Sequence, residues 1–250
     1  MNSEPFDTAQ FETRNDRQLT YTRDQASRFA KQIAGDFNPL HNTDSKRFCV
    51  PGDLLFVTLL REYGVARHTY VEFSNMVDER MVFELPHQVE QDFELVDSKG
   101  KSCLSLKLQG VREQDSAFVA ALTQSYVRFS GKTFPDILVA LMQTNKVMIN
   151  PARPLVIYKS MQVNLIDSAS EILSRAATNE LLLELSSSSM QIDGKKATAT
   201  LEFELSAAGS KVGDGNKIML LGGLREYDQQ AIDEIVLQYN SWKQDYVVPS

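Results

Sequence analysis

Residues 34–41 read AGDFNPLH and place Asp36 and His41 five positions apart, across Asn38 and Pro39 and just behind Gly35. A carboxylate and an imidazole are the side chains most used to move protons near neutral pH. Two readings suit the pattern. In one, a catalytic loop holds the pair together; in the other, a helix-ending turn lets Asp36 bond backbone N–H groups while His41 merely packs. Proline fixes its own φ and asparagine bonds nearby backbone, so either kind of rigid turn fits. The remaining histidines, His68 and His87, have no matching partners and read as surface or sheet-end residues.

The elements around the turn must decide. Over 22–34, Ala26, Phe29, Ala30 and Ile33 make one apolar helical face. Thr22 and Gln25 have capping-box spacing, and Gly35 is placed to end the helix in a left-handed conformation. A second helix, GDLLFVTLLREY (52–63), is apolar nearly all round, the mark of burial on most sides, and Pro51 and Gly52 open it. Strand-like segments follow at 68–77, 81–86, 88–97, 101–111 and 116–130, with SKG (98–100) as a hairpin turn. The order then recurs. An apolar helix at 134–148 precedes strands at 156–166, 171–178, 180–192, 196–207 and 217–224, with turns at Asp193–Gly194 and in GSKVGDGNK (209–217). Ile232, Ile235, Val236, Tyr239 and Trp242 share one face of a terminal helix. A buried helix followed by long antiparallel strands, twice, predicts an α+β chain of two similar units, 1–130 and 131–250.

Composition bounds the partners. The chain has 250 residues, 42% hydrophobic and 24% charged, enough for a substantial core. A net charge of −7 argues against a nucleic-acid binder, which needs a surplus of Lys and Arg. No apolar run approaches a membrane span, and a polar, acid-bearing N-terminus predicts neither a signal nor a transit peptide, which favours the cytoplasm. Cys49 and Cys103, far apart and outside any CxxC, predict reduced thiols with no zinc site. SSSS (186–189) reads as a polar strand end, and Met142, Met148 and Met161 as core. Lys46, Arg47, Arg61 and Arg67 read more simply as solvated surface than as phosphate contacts.

With these elements placed, FAKQIAGDFNPLH resembles the hydratase signature of the MaoC-like, (R)-specific enoyl-CoA hydratase family, through Phe29, Ala30, Gly35, Asp36, Asn38, Pro39, Leu40 and His41. PGDLL (51–55) is similar to the start of that family's central helix. The resemblance implies the hotdog fold, a long antiparallel sheet wrapped around a buried helix, with a second, degenerate unit completing the sheet and walling an acyl tunnel. It implies a hydro-lyase acting on a 2-enoyl thioester of CoA or acyl carrier protein, with no cofactor and no metal. Asp36 and His41 would hold the water. Gly52, at the start of the buried helix, would offer its N–H to the thioester oxyanion, where helix-terminal amides favour negative charge. Such a chain is a pseudo-dimer needing no partner subunit, though a homo-oligomer remains open.

Three departures from the family pattern keep alternatives open. The acid after His41 falls at Asp44, one position later than usual. The linker NTDSKRFCV is short. Asp53 follows Gly52 in the helix's first turn, where a carboxylate aimed at a growing enolate would oppose the chemistry. A non-catalytic acyl-thioester-binding protein and an acyl thioesterase are the other readings this sequence supports.

Overall fold

A computed structural model describes residues 8–176 and 180–246. Helix α1 (Arg23–Arg28) starts on the expected capping box: Thr22 accepts from the Gln25 N–H, and Gln25 reaches back to the Thr22 N–H. It widens into a π-helical turn over Phe29–Ala34 and stops at Gly35, whose φ of 65° is left-handed. Helix α2 (Gly52–Tyr63) has the predicted bounds and buries Asp53 to Leu60 in one unbroken run. Burying each large apolar side chain there contributes about 2 kcal/mol.

The chain next lays down β1 (Val65–Phe73), β2 (Asp92–Val96) and β3 (Ser102–Glu113). The β2–β3 hairpin turns where SKG predicted it, with the Asp97 carboxylate accepting from the Lys99 and Lys101 N–H groups. Helices α3 (Ser116–Ser130) and α4 (Leu138–Thr144) lead to β4 (Leu155–Leu165). Helix α5 (Ala169–Arg175), β5 (Leu182–Asp193), β6 (Lys196–Ala207), β7 (Ser210–Gly222) and α6 (Gln229–Asp245) complete the order.

Seven strands form one antiparallel sheet in the order β2-β3-β1-β4-β7-β6-β5. The order is self-similar about its middle. Strands β1 and β4 pair through Val71 and Met161, both fully buried, and each carries on its outer side the second strand of a following hairpin. A helix precedes each lead strand. This is the hotdog arrangement twice over, in an α+β chain, with one continuous apolar core.

Three segments differ from expectation. Residues 116–130 form α3 rather than a strand. Asp115 caps it by accepting from the Ala117 and Phe118 N–H groups, and Phe118, Leu122, Tyr126 and Phe129 are its buried side at helical spacing. An apolar run that also alternates hides such a period. Residues 169–175 form α5, where a strand was expected over 171–178; positions 177 and 178 lie outside the described residues. The turn expected across 209–217 is confined to Ala208–Gly209. The later glycines lie inside β7, where a Cβ on Gly215 would sit 2.5 Å from the Phe203 ring and 2.0 Å from the Gln162 carbonyl oxygen.

Candidate active site

The turn after α1 brings the two sequence-predicted residues together. Asp36 Oδ2 stands 3.6 Å from His41 Nε2, and the side chains are 29% and 10% exposed. The turn is locked by its own polar atoms. Asp36 Oδ1 accepts from the Asn38 N–H at 2.9 Å, Asn38 Oδ1 accepts from the Leu40 N–H at 3.1 Å, and the His41 N–H donates to the Asn38 carbonyl at 2.9 Å. On the far side of the ring, His41 Nδ1 lies 2.7 Å from the Cys49 carbonyl oxygen. A carbonyl only accepts, so Nδ1 carries the proton and the Nε2 lone pair of the neutral ring faces Asp36.

The pair's electrostatics follow from this geometry. Burial works against both charges and is the largest influence on each. The neighbouring His41, helped by the Asn38 N–H, still holds the Asp36 carboxyl below its usual range. Asp36, helped by the Cys49 carbonyl, lifts His41 above its usual range. At 3.6 Å the two atoms are beyond an ordinary hydrogen bond. Two polar atoms 3.6 Å apart can share one water about 2.8 Å from each.

Both residues line a cavity of about 720 Å³ between the sheet, the start of α2 and helix α6. Its wall is largely apolar, with Leu55, Phe73, Leu138, Val156, Met219 and Ile235 among the contributors. Gly52 lies on the same wall as the first residue of α2, and its N–H has no partner among the described residues. A Cβ there would fall 2.4 Å from Tyr158 Cδ1, so only glycine fits. Asp44 is exposed and away from the cavity. Arg61 is tied to Glu12 and Thr8, and Arg67 to Asp167 at 2.6 Å; neither they nor Lys46 and Arg47 line the cavity. His68 and His87 are exposed, and both cysteines are free thiols, with burial pushing Cys49 up to about 12.

Sequence reasoning missed two features of the site. Tyr239 of α6 donates to the Gly35 carbonyl at 3.0 Å and accepts from the Phe37 N–H at 3.2 Å, gripping the backbone on both sides of Asp36. The second is a buried polar cluster around Asp53. Its carboxylate accepts from Tyr126 Oη and Ser130 Oγ and lies 3.3 Å from Lys217 Nζ. Lys217, only 2% exposed, also donates to Ser130 Oγ at 2.5 Å and stands 4.3 Å from the Tyr158 ring centre. Burial and the nearby Asp53 push both tyrosine hydroxyls well up. Strand alternation carried a signal for Lys217: it shares the inward side of β7 with Gly215, Met219 and Leu221.

Among the described residues no group of His, Cys, Asp and Glu is arranged to hold a metal ion, and no helix is long and apolar enough to cross a membrane. No curated protein matches the chain. Among solved structures, the tesB protein of Mycobacterium avium subs paratuberculosis is similar at 11% identity over 85% of this chain and 97% of that one, with a TM-score of 0.44. A hotdog protein of unknown function from Alicyclobacillus acidocaldarius shares 12% identity over 88% and 98%, at a TM-score of 0.49. The acyl-CoA thioesterase II TesB2 of Mycobacterium marinum shares 11% over 89% and 98%, at 0.38. Residues 7–230 match the family described as a protein of unknown function (DUF3581), and the chain belongs to that family.

Proposed function

We propose that the cavity seats the acyl chain of a CoA or acyl-carrier-protein thioester and that Asp36 and His41 use one water on it, interconverting a 2-enoyl and an (R)-3-hydroxyacyl thioester. The carrying observation is the tautomer-fixed His41 Nε2 facing Asp36 Oδ2 at 3.6 Å on the wall of an apolar cavity. Asp36 orients the water. Nε2 takes one of its protons as the oxygen bonds to C3, and a proton is returned to C2, so that water is consumed whole. The charge that grows on the thioester oxygen is met by the Gly52 N–H and the dipole of α2. No cofactor and no metal is needed for these steps. In this reading residues 1–130 carry the reacting pair and part of the wall, and 131–250 complete that wall, within a cytoplasmic enzyme.

Thioester hydrolysis is the second reading, favoured by the buried Lys217 on the same wall, a cation that suits an oxyanion at the thioester carbonyl. The same water would then attack C1 and release the thiol. Purified protein with crotonyl and longer 2-enoyl thioesters separates the two. Hydration removes the conjugated-enoyl absorbance without freeing thiol, whereas hydrolysis frees thiol. Asp36→Asn and His41→Ala should each lower the rate by about 10²–10⁴. Full turnover in either variant removes the assignment, and acyl-thioester binding with neither reaction leaves a non-catalytic carrier.

A further inference from the structure

The puzzle raised by Asp53 has an answer in the fold. A carboxylate in the first turn of α2 sits beside the amide that would receive a developing anion. Burying it without a countercharge would also be costly. The structure turns it onto three side chains from outside α2: Tyr126 and Ser130 near the end of α3, and Lys217 on β7. Lys217 is the cation of that group, and it is packed under Tyr158, the ring that also closes on Gly52. The two polar centres share one field: Lys217 acts on Asp36, and Asp53 acts on His41.

We propose that Lys217 is a positioning residue which, with Tyr126 and Ser130, holds and neutralises the Asp53 carboxylate so that the Gly52 amide stays available to an anion. This rests on the proposed function in that the anion is the enolate-like thioester oxygen. Lys217 has no part in the proton transfers. Its task is to cancel a charge the helix start would otherwise present.

The test compares wild type, Lys217→Met and the double variant Asp53→Asn/Lys217→Met, each checked by circular dichroism and a melting curve. Turnover of 2-enoyl thioesters is measured, together with binding of dodecanoate, whose carboxylate is an anionic probe for the same corner. Lys217→Met should lower kcat by about tenfold or more while KM changes little, because an uncancelled carboxylate opposes only the charged state. The double variant should recover most of kcat. Dodecanoate affinity should fall and return in step. A folded double variant as slow as the single one overturns the inference, since Lys217 would then act on the substrate itself; so does wild-type kcat in Lys217→Met. If Lys217→Met does not fold, the double variant decides alone, activity supporting the inference and inactivity overturning it. A wild type that turns over no thioester sinks the proposed function but not this test. Dodecanoate binding lost and regained then supports the inference, and binding that is absent from wild type or unmoved by the substitutions ends it.

Discussion

Replacing Tyr239 by Phe removes one hydroxyl and leaves the ring. The ring contacts to Phe134 and Phe37, at 5.1 and 5.9 Å between centres, stay in place. What is lost is the bond to the Gly35 carbonyl at 3.0 Å and the one from the Phe37 N–H at 3.2 Å. Each is worth about 1 kcal/mol net, and leaving the buried Phe37 N–H without an acceptor adds to that, so the loss is about 2–3 kcal/mol. For a chain of this size the melting midpoint should fall by roughly 5–10 °C. The larger consequence is local. Gly35 and Phe37 flank Asp36, so freeing them lets the carboxylate drift from His41, and a misplacement of about 1 Å can cost on the order of 10²-fold in rate. Urea denaturation and steady-state kinetics on the same preparation measure both effects, with kcat falling and KM held. A variant within about 0.5 kcal/mol of wild type and unchanged in kcat would show that α6 merely rests on the motif loop.

Acidity offers a second check, with a definite sign. His41 is raised in the fold, so its contribution to stability is complete below 6.5 and is lost as pH rises through the folded value. Asp36 is lowered, so its contribution is present above 3.8 and is lost as pH falls through its folded value. The proposed reaction needs the neutral imidazole, so kcat/KM should climb above pH 6.5 while the stability due to the pair declines. Urea midpoints across that range should converge on those of Asp36→Asn. A wild-type rate limb centred below 6.5 contradicts the pairing. Acyl length offers a third check. Each methylene entering the apolar cavity contributes about 0.8 kcal/mol, about fourfold in kcat/KM, so the specificity constant should rise steeply beyond four carbons. A four-carbon substrate that outperforms its eight-carbon homologue would place the acyl chain elsewhere.

Local signals carried much of the architecture. The capping box at Thr22, the left-handed Gly35 and the bounds of α2 depend on neighbours within a turn, and each is found where the residues placed it. The strands 156–166, 180–192 and 196–207 lie close to their expected limits, and the last of them alternates buried and open positions along its length. Segment 116–130 misled because Ala, Val and Phe satisfy a two-residue and a 3.6-residue period together, and only the cap at Asp115 breaks the tie. Within the site, Asp36 and His41 were legible because one short turn holds both. The partners of Asp53 were not. Lys217 lies 164 positions away, on a strand in the other half of the sheet, and a buried acid in an apolar helix says only that some cation must meet it.

That distance bears on why two units exist where the proposed reaction needs one Asp/His pair. No histidine follows His87, so the second unit holds no Asp/His pair of its own. It supplies Tyr158 against Gly52, Lys217 against Asp53 and Tyr239 around Asp36. Each of these answers a specific deficit of the first unit: an open corner at the helix start, an uncancelled charge and an unbraced loop. Residues 1–130 alone would leave Asp53 without its cation and the Asp36 turn without its grip. The division of labour is therefore electrostatic and mechanical. One half carries the groups that would move protons, and the other holds those groups in place and balances their surroundings.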